Sequence, residues 1–209
     1  HVALAEGSTT KREYGPFDAI PKNAQDLYDE HVDHMLKDLI GKGFNVTLLA
    51  YGQTGSGKTY TMGSGEPVAS PGLIQLTVAS LFKRLPPDTK VRATFVQIWC
   101  EEVHDLLADV GHDRSADGRS MGLKKLKVGL NEQWMNEQKP GHCAKGATAV
   151  RCDGSPDKVL ATLKSGVRNR TTGATKMNEY SSRSHALFTL QLEIPSTDGS
   201  CLCPRLHFV

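Results

Sequence analysis

The run Gly52-Gln53-Thr54-Gly55-Ser56-Gly57-Lys58-Thr59 fits G-x-x-x-x-G-K-[ST] at every fixed position. Each residue type there has a chemical reason. The glycines let the backbone wrap so that successive N–H groups point inward at phosphate oxygens. Lys58 brings a mobile cation to the outer phosphates of a nucleotide, and Thr59 offers a hydroxyl to Mg²⁺. Directly upstream lies Asn45-Val46-Thr47-Leu48-Leu49-Ala50-Tyr51, a short apolar run that reads as a buried strand of the kind found in parallel sheets. The loop should then open a helix whose positive end faces the anion. That helix is short: Tyr60-Thr61-Met62 is followed by Gly63-Ser64-Gly65-Glu66-Pro67, which breaks it within about two turns. It can resume near Leu73, after Pro71-Gly72. The competing reading is a glycine-rich turn with no ligand.

A second constellation, Asn178-Glu179-Tyr180-Ser181-Ser182-Arg183-Ser184-His185, gathers hydroxyls, an amide, a guanidinium and an imidazole in a loop before a strand. Small donors and acceptors of this kind suit a sensor of a γ-phosphate, because that transition state asks mainly for positioning and charge stabilisation. By composition alone, a polar Ser-rich loop is the simpler reading.

These residues need elements to position them. Apolar side chains at Leu27, Val32, Met35, Leu36, Leu39 and Ile40 are spaced for a helix over 26–40, with His31 and His34 on its solvated face and Gly41 and Gly43 as its stop. Residues 73–85 form a second amphipathic helix, ended by Pro86-Pro87. Val91 to Cys100 is rich in β-branched and aromatic residues and reads as a strand. The stretch 109–145 is poor in apolar anchors and is expected to be surface loop with at most one short strand; Lys124, Lys125 and Lys127 there read as a solvated face. Ser155-Pro156-Asp157 supplies an N-cap, a Pro at the first helical position and an acid in the first turn of a helix expected to run to Gly166. Ala186, Phe188, Leu190, Leu192 and Ile194 alternate with the residues between them, as in a strand with one drier face. Asp198-Gly199 has turn chemistry, and Arg205–Val209 opens a return strand. Alternating helices and strands give an α/β class with an antiparallel element near the end.

A chain of 209 residues suits one domain or most of one. The formal charge of +2 excludes a histone-like polycation, and no apolar run approaches the roughly 20 residues of a membrane span. No nucleic-acid surface is expected from this segment. The first residue is His1 and no charged-then-apolar leader follows, so no signal peptide is expected and the numbering reads as starting inside a larger protein. Five cysteines without framework spacing argue for a reducing compartment. Cys201-Leu202-Cys203 with His207 nearby is spaced C-x-C, unlike zinc sites, and reads as thiols in or beside a strand.

The phosphate loop followed by Tyr60-Thr61-Met62-Gly63, together with Asn178 to His185 as an N-x-x-S-S-R-S-H switch I, closely resembles the kinesin motor domain. Glu101-Glu102-Val103-His104-Asp105-Leu106-Leu107, Asn169-Arg170-Thr171-Thr172 and Thr175-Lys176-Met177-Asn178 are further echoes. The wording Thr59-Tyr60-Thr61-Met62-Gly63 is most similar to the chromokinesin branch. The resemblance implies an α/β P-loop NTPase fold of the kinesin-motor type, with a central mixed, mostly parallel-type sheet flanked by helices. It implies a microtubule-stimulated ATPase that moves along microtubules, with ATP and Mg²⁺ as ligands, tubulin as partner, the cytoplasm and microtubule cytoskeleton as location, and dimerisation through regions outside this chain. By position, Gly52, Gln53, Thr54, Gly55, Ser56, Gly57, Lys58 and Thr59 would cradle the phosphates and Tyr60 would stack on adenine. Asn178, Ser181 and Ser182 would sense the γ-phosphate, Thr59 and Ser182 would hold Mg²⁺, and Arg183 would latch to a switch II glutamate. The segment 63–72 would be a variable insertion, and 145–157 a secondary tubulin-facing region.

Some family features are not in the sequence: the adenine-side R-x-R-P on the first strand, the switch II D-L-A-G-S-E, and a Pro where Gln75 stands. Residues 1–209 therefore read as a partial motor domain that lacks the first strand and everything from switch II onward. The resemblance also places the phosphate-loop strand between two late strands. Val46–Ala50 is accordingly expected to present unpaired edges, and the isolated chain neither to hydrolyse ATP usefully nor to fold stably. Two alternatives stand beside the motor: a GTPase, which would need an N-K-x-D that the sequence lacks, and a catalytically inactive nucleotide- or tubulin-binding fragment.

Overall fold

The computed structural model describes residues 2–6, 23–64, 71–108, 123–130, 142–174, 184–196 and 198–209. Strand β1 spans Val2–Glu6. Helix α1, Ala24–Leu27, is capped by Asn23, whose Oδ1 accepts from the Asp26 amide at 2.9 Å. A π-helical turn, Tyr28–Val32, carries the chain into α2, Asp33–Lys42. The expected helix is therefore present, but Gly41 lies inside it. Gly43 ends it at φ 71°, where a residue with a Cβ would be strained. Tyr28, Val32, Met35, Leu36 and Leu39 form its buried stripe.

Then follow β2 (Val46–Ala50), α3 (Lys58–Met62) and α4 (Leu73–Arg84), the last ending just before Pro86 as expected. Strand β3 (Lys90–Trp99) turns into β4 (Glu102–Asp105) through Cys100 and Glu101, both at positive φ (46° and 64°). Two residues at positive φ match the right-handed twist of a tight hairpin. Next come β5 (Lys124–Leu130), β6 (His142–Lys145), β7 (Val150–Arg151), α5 (Pro156–Ala174), β8 (His185–Pro195), β9 (Cys201–Leu202) and β10 (Arg205–Phe208).

The sheet order is β1-β2-β10-β8-β3-β4-β5-β6, with β7 beside β3 and β9 beside β8. The sheet is mixed and flanked by helices. Its weighting differs from the expected mostly parallel one: β2 and β10 form the parallel ladder, and the other ladders among the described residues are antiparallel. Connection length accounts for part of this. A two-residue turn joins β3 to β4 and a short excursion joins β8 to β10, and short connections return a strand antiparallel.

Three further expectations are corrected. Strand β2 has a neighbour on each side: β1 pairs with it from Val2↔Ala50 to Glu6↔Val46, and β10 from Leu206↔Val46 to Phe208↔Leu48. The Ala50 amide also donates to the Val209 carbonyl at 3.0 Å, so Val46–Ala50 does not present the bare edges expected of it. The stretch 109–145 supplies two paired strands rather than at most one, because Leu126 on β5 joins Val96 and Val103 in a small apolar cluster that the local sequence does not announce. Helix α5 passes through Gly166. A Cβ there would stand 2.2 Å from Phe95 Cδ1, so this glycine seats a ring of the sheet in the helix instead of ending it.

The main core lies between the sheet and the helices. Phe188 on β8 sits edge-on to Phe95 of β3, with centroids 5.3 Å apart, and stacks on Phe208 of β10 at 6.2 Å. Phe188, Leu190, Leu192 and Ile194 are buried, which is the drier face expected from the alternation in β8. Among the described residues no helix is long and apolar enough to cross a membrane.

Candidate functional site

The phosphate loop hangs between a fixed strand end and a short helix. Parallel pairing with β10 holds β2 from Val46 to Leu48, and the Ala50–Val209 hydrogen bond extends that hold to its last residue. The chain then turns on Gly55 and Gly57, at φ 81° and 88°, the left-handed region where only glycine is unstrained. Nothing lies within 4 Å of a Cβ built at either position, so these glycines serve backbone conformation and leave the concavity clear. The Ser56 amide donates to the Gln53 carbonyl at 3.2 Å, closing the turn. Gly57 is the N-cap of α3, where the first amides of a helix have no acceptor within it and point toward the loop.

Lys58 reaches back across this loop. Its Nζ donates to the Gly52 carbonyl at 2.7 Å and to the Gln53 carbonyl at 2.8 Å. The ammonium is therefore held at the loop by neutral carbonyls. An anionic phosphate is a stronger acceptor than a carbonyl and can draw it away. Gln53, Thr54, Gly55, Ser56, Gly57, Thr59 and Tyr60 are exposed around it, Tyr60 with 62% of its surface open. The first amides of α3, the Lys58 ammonium, a hydroxyl at Thr59 and an open ring at Tyr60 fit a Mg²⁺-nucleotide. The structure brings Gly52 through Tyr60 together in this way. Asn178, Ser181, Ser182 and Arg183 lie outside the described residues.

The kinesin motor domain family model matches residues 6–209. The chain belongs to the kinesin motor family. It is 35% identical to the kinesin-like protein KIN-4C of Arabidopsis thaliana over 83% of its length, covering 15% of that protein. It is 37% identical to the kinesin-like protein KIN-4A of Oryza sativa subsp. japonica over 88% of its length, covering 20% of that one. A solved structure of a fast kinesin, described for its ATPase mechanism and interactions with microtubules, superposes with a TM-score of 0.71 at 28% identity. That match covers 89% of this chain and 49% of the solved motor, so the chain spans about half of that motor and a fifth or less of these relatives.

Within this kinesin fold the interrupted helix has a specific joint. Helix α3 closes at Gly63, φ 75°, where the Gly63 amide donates to the Thr59 carbonyl at 3.0 Å. Gly72, the residue before α4, lies against it so closely that a Cβ at Gly72 would stand 2.4 Å from Gly63 Cα. The Gln75 side chain spans the joint: its Nε2 donates to the Gly63 carbonyl at 2.6 Å, and its Oε1 accepts from the Gly72 amide at 3.1 Å. Sequence reasoning noted Gln75 only as the replacement of a family proline. Its signal was a primary amide in the first turn after Pro-Gly, a place where a side chain can reach free backbone groups.

Two other positioning groups escaped the sequence reading. Arg170 Nη2 donates to Ser184 Oγ at 3.0 Å and to its carbonyl at 3.3 Å, fixing the residue that follows Arg183. The neighbouring Asn169 Nδ2 donates to the Leu106 carbonyl at 2.8 Å. Both belong to the Asn169-Arg170-Thr171-Thr172 run, which marked the family without indicating a contact. Asp105, fully buried, accepts from the Leu107 and Thr148 amides at 2.9 and 2.7 Å and so ties β4 to the segment before β7.

Among the described residues the titrations that shift lie away from the loop. Lys37 first, then Arg84, holds the Asp33 carboxyl below its ordinary range, and Arg84 pins α4 to α2 through the same group. The Val91 amide, then Arg151, does the same for Asp153. Burial pushes His104 down, against the opposing pull of Glu102. Burial and then Arg205 push His207 down to about 4, while its Nδ1 lies 2.9 Å from Thr189 Oγ1.

Proposed function

We propose that this chain binds Mg²⁺-ATP in the loop Gly52–Thr59 and forms part of the motor domain of a microtubule-based kinesin. Kinesin motors as a family couple ATP hydrolysis to microtubules. The observation that carries the reading is the loop itself, with Lys58 tethered on the carbonyls of Gly52 and Gln53 beside clear space over Gly55 and Gly57.

In this reading the loop amides hold the phosphates and Lys58 exchanges its carbonyl partners for phosphate oxygens. Thr59 and Ser182 would hold Mg²⁺, which would supply charge neutralisation for the outer phosphates. Tyr60 offers its exposed ring to adenine. Asn178, Ser181 and Ser182 sense the γ-phosphate, and Arg183 latches switch I. Arg170 orients Ser184 at the base of that segment. Tubulin is the partner and the microtubule cytoskeleton of the cytoplasm the location; dimerisation runs through other parts of the protein.

Equilibrium titration with a fluorescent ATP analogue tests the assignment. Lys58→Ala removes the only side-chain cation of the loop and is expected to abolish tight binding. Unchanged affinity would remove the phosphate-loop reading.

A further inference from the structure

The connection from β8 to β10 carries chemistry that the nucleotide site does not use. It turns on Asp198 and Gly199: Gly199 sits at φ 82°, and Asp198 Oδ1 accepts from the Ser200 amide at 2.9 Å. The chain returns through β9, pairing Pro195↔Cys201 and Ile194↔Leu202. Alternate side chains of an extended chain share a face. Cys201 and Cys203 accordingly lie together, with their Sγ atoms 3.9 Å apart. Leu202 points the other way and lies over Gly43 at the end of α2.

Two features favour closure of this pair: the exposure of its first thiol and the short distance between its sulfurs. Cys201 is exposed and Cys203 half-buried, so a small oxidant can reach the first and the second waits behind it. Cys203 lies between β9 and β10, and the chain is held again just beyond it, where the Pro204 carbonyl accepts from the Leu192 amide at 3.0 Å. The sulfurs need approach by only about 1.9 Å to reach bonding distance. A soft metal ion is a poorer fit, because among the described residues no three His, Cys, Asp or Glu side chains come together as a ligand set.

We propose that Cys201 and Cys203 form a reversible dithiol–disulfide pair that is closed by low-molecular-weight disulfides. The Cys201 thiolate attacks one sulfur of oxidised glutathione; that S–S bond breaks and one glutathione leaves as its thiol. The Cys203 thiolate then attacks the Cys201 sulfur and expels the second glutathione. Two protein thiols are oxidised, one small disulfide is reduced to two thiols, and both thiol protons pass to the glutathiones. Residues two apart in an extended chain have Cα atoms about 6.6 Å apart, near the long limit for a disulfide, so the bridge is strained and readily reduced again. Cys152 plays no part: it is buried, and burial pushes its thiol up, away from the thiolate form.

The pair can be read in isolation. Trypsin cleaves after Arg183 and Arg205, and the peptide 184–205 holds Cys201 and Cys203 as its only cysteines. The purified chain is incubated with oxidised glutathione, quenched with iodoacetamide, digested and weighed. The peptide is expected two hydrogens lighter than its reduced form, with the glutathione adduct below roughly a tenth of it, because the tethered thiol acts at a millimolar or higher effective concentration. Reduced glutathione should restore the doubly alkylated peptide. Cys203→Ser should instead stop at a glutathione adduct on Cys201. Persistent adducts on the parent chain, or alkylation of both sulfurs after oxidant, would overturn the proposal.

Discussion

Replacing Gln75 by Ala tests whether one side chain holds the split helix together. The amide now donates to the Gly63 carbonyl at 2.6 Å and accepts from the Gly72 amide at 3.1 Å. Alanine removes both bonds, and its methyl is too short to replace either. Gly72 is buried, so its N–H loses its partner where water enters poorly, at a cost of about 1–3 kcal/mol. Gly63 is buried as well, so its carbonyl loses its partner at a further cost of about 1–3 kcal/mol. Better helix propensity returns a few tenths of a kcal/mol. The net expectation is a loss of about 2–5 kcal/mol, which for a chain of this size lowers the melting midpoint by roughly 4–20 °C. Urea unfolding of parent and variant measures the energy. Hydrogen exchange at Gly72 locates it, since that amide should lose protection before the rest of α4. Gln75→Glu separates the two bonds: it keeps the acceptor for Gly72 but sets a carboxylate against the Gly63 carbonyl, and should also destabilise. Because Gly63 caps α3, both variants should weaken binding of a fluorescent ATP analogue by roughly three- to tenfold through misplaced loop amides. Parent-like unfolding in Gln75→Ala, with Gly72 protection intact, would refute the clamp.

Gly166→Ala gains about 1 kcal/mol of helix propensity but drives a methyl to 2.2 Å from Phe95 Cδ1, and overpacking at about 1–3 kcal/mol wins; urea titration should show net destabilisation, relieved by Phe95→Leu. Ser182→Ala or Arg183→Ala in the full-length protein should leave nucleotide affinity within about tenfold and sharply cut microtubule-stimulated turnover, because switch contacts tighten mainly in the transition state; parent-like turnover in both would return that segment to a plain polar loop. His207 titrates at about 4 in the folded chain, against 6.5 for an unperturbed histidine, so the unfolded chain binds the extra proton between those values. Its contribution is complete above pH 6.5 and is lost as pH falls toward 4; NMR titration of the ring should give the depressed midpoint, and His207→Gln should flatten that part of the stability–pH curve.

The phosphate loop was legible in the sequence because its requirements are local. Gly55 and Gly57 stand where the backbone needs positive φ, Lys58 and Thr59 where the ligand needs a cation and a hydroxyl, and nothing distant has to be known to read them. The break after Met62 was legible for the same reason, since Gly63 and Pro67 cannot continue a helix. So were the ends of α4 at Pro86 and the alternation in β8.

Tertiary structure decided whatever depends on a partner far along the chain. Gly166 resembled a helix stop until Phe95, on another element, occupied the space above it. The weak apolar pattern of β5 became a strand because β4 and β6 offer it hydrogen bonds and Val96 and Val103 receive Leu126. The Val46–Ala50 strand gained neighbours from Val2–Glu6 and from residues 205–209, at opposite ends of the sequence. The Gln75 clamp needs the two halves of a broken helix brought face to face. In each case the free energy comes from burial or hydrogen bonding between groups whose meeting is set by the path of the chain, and a local reading sees only one member of the pair.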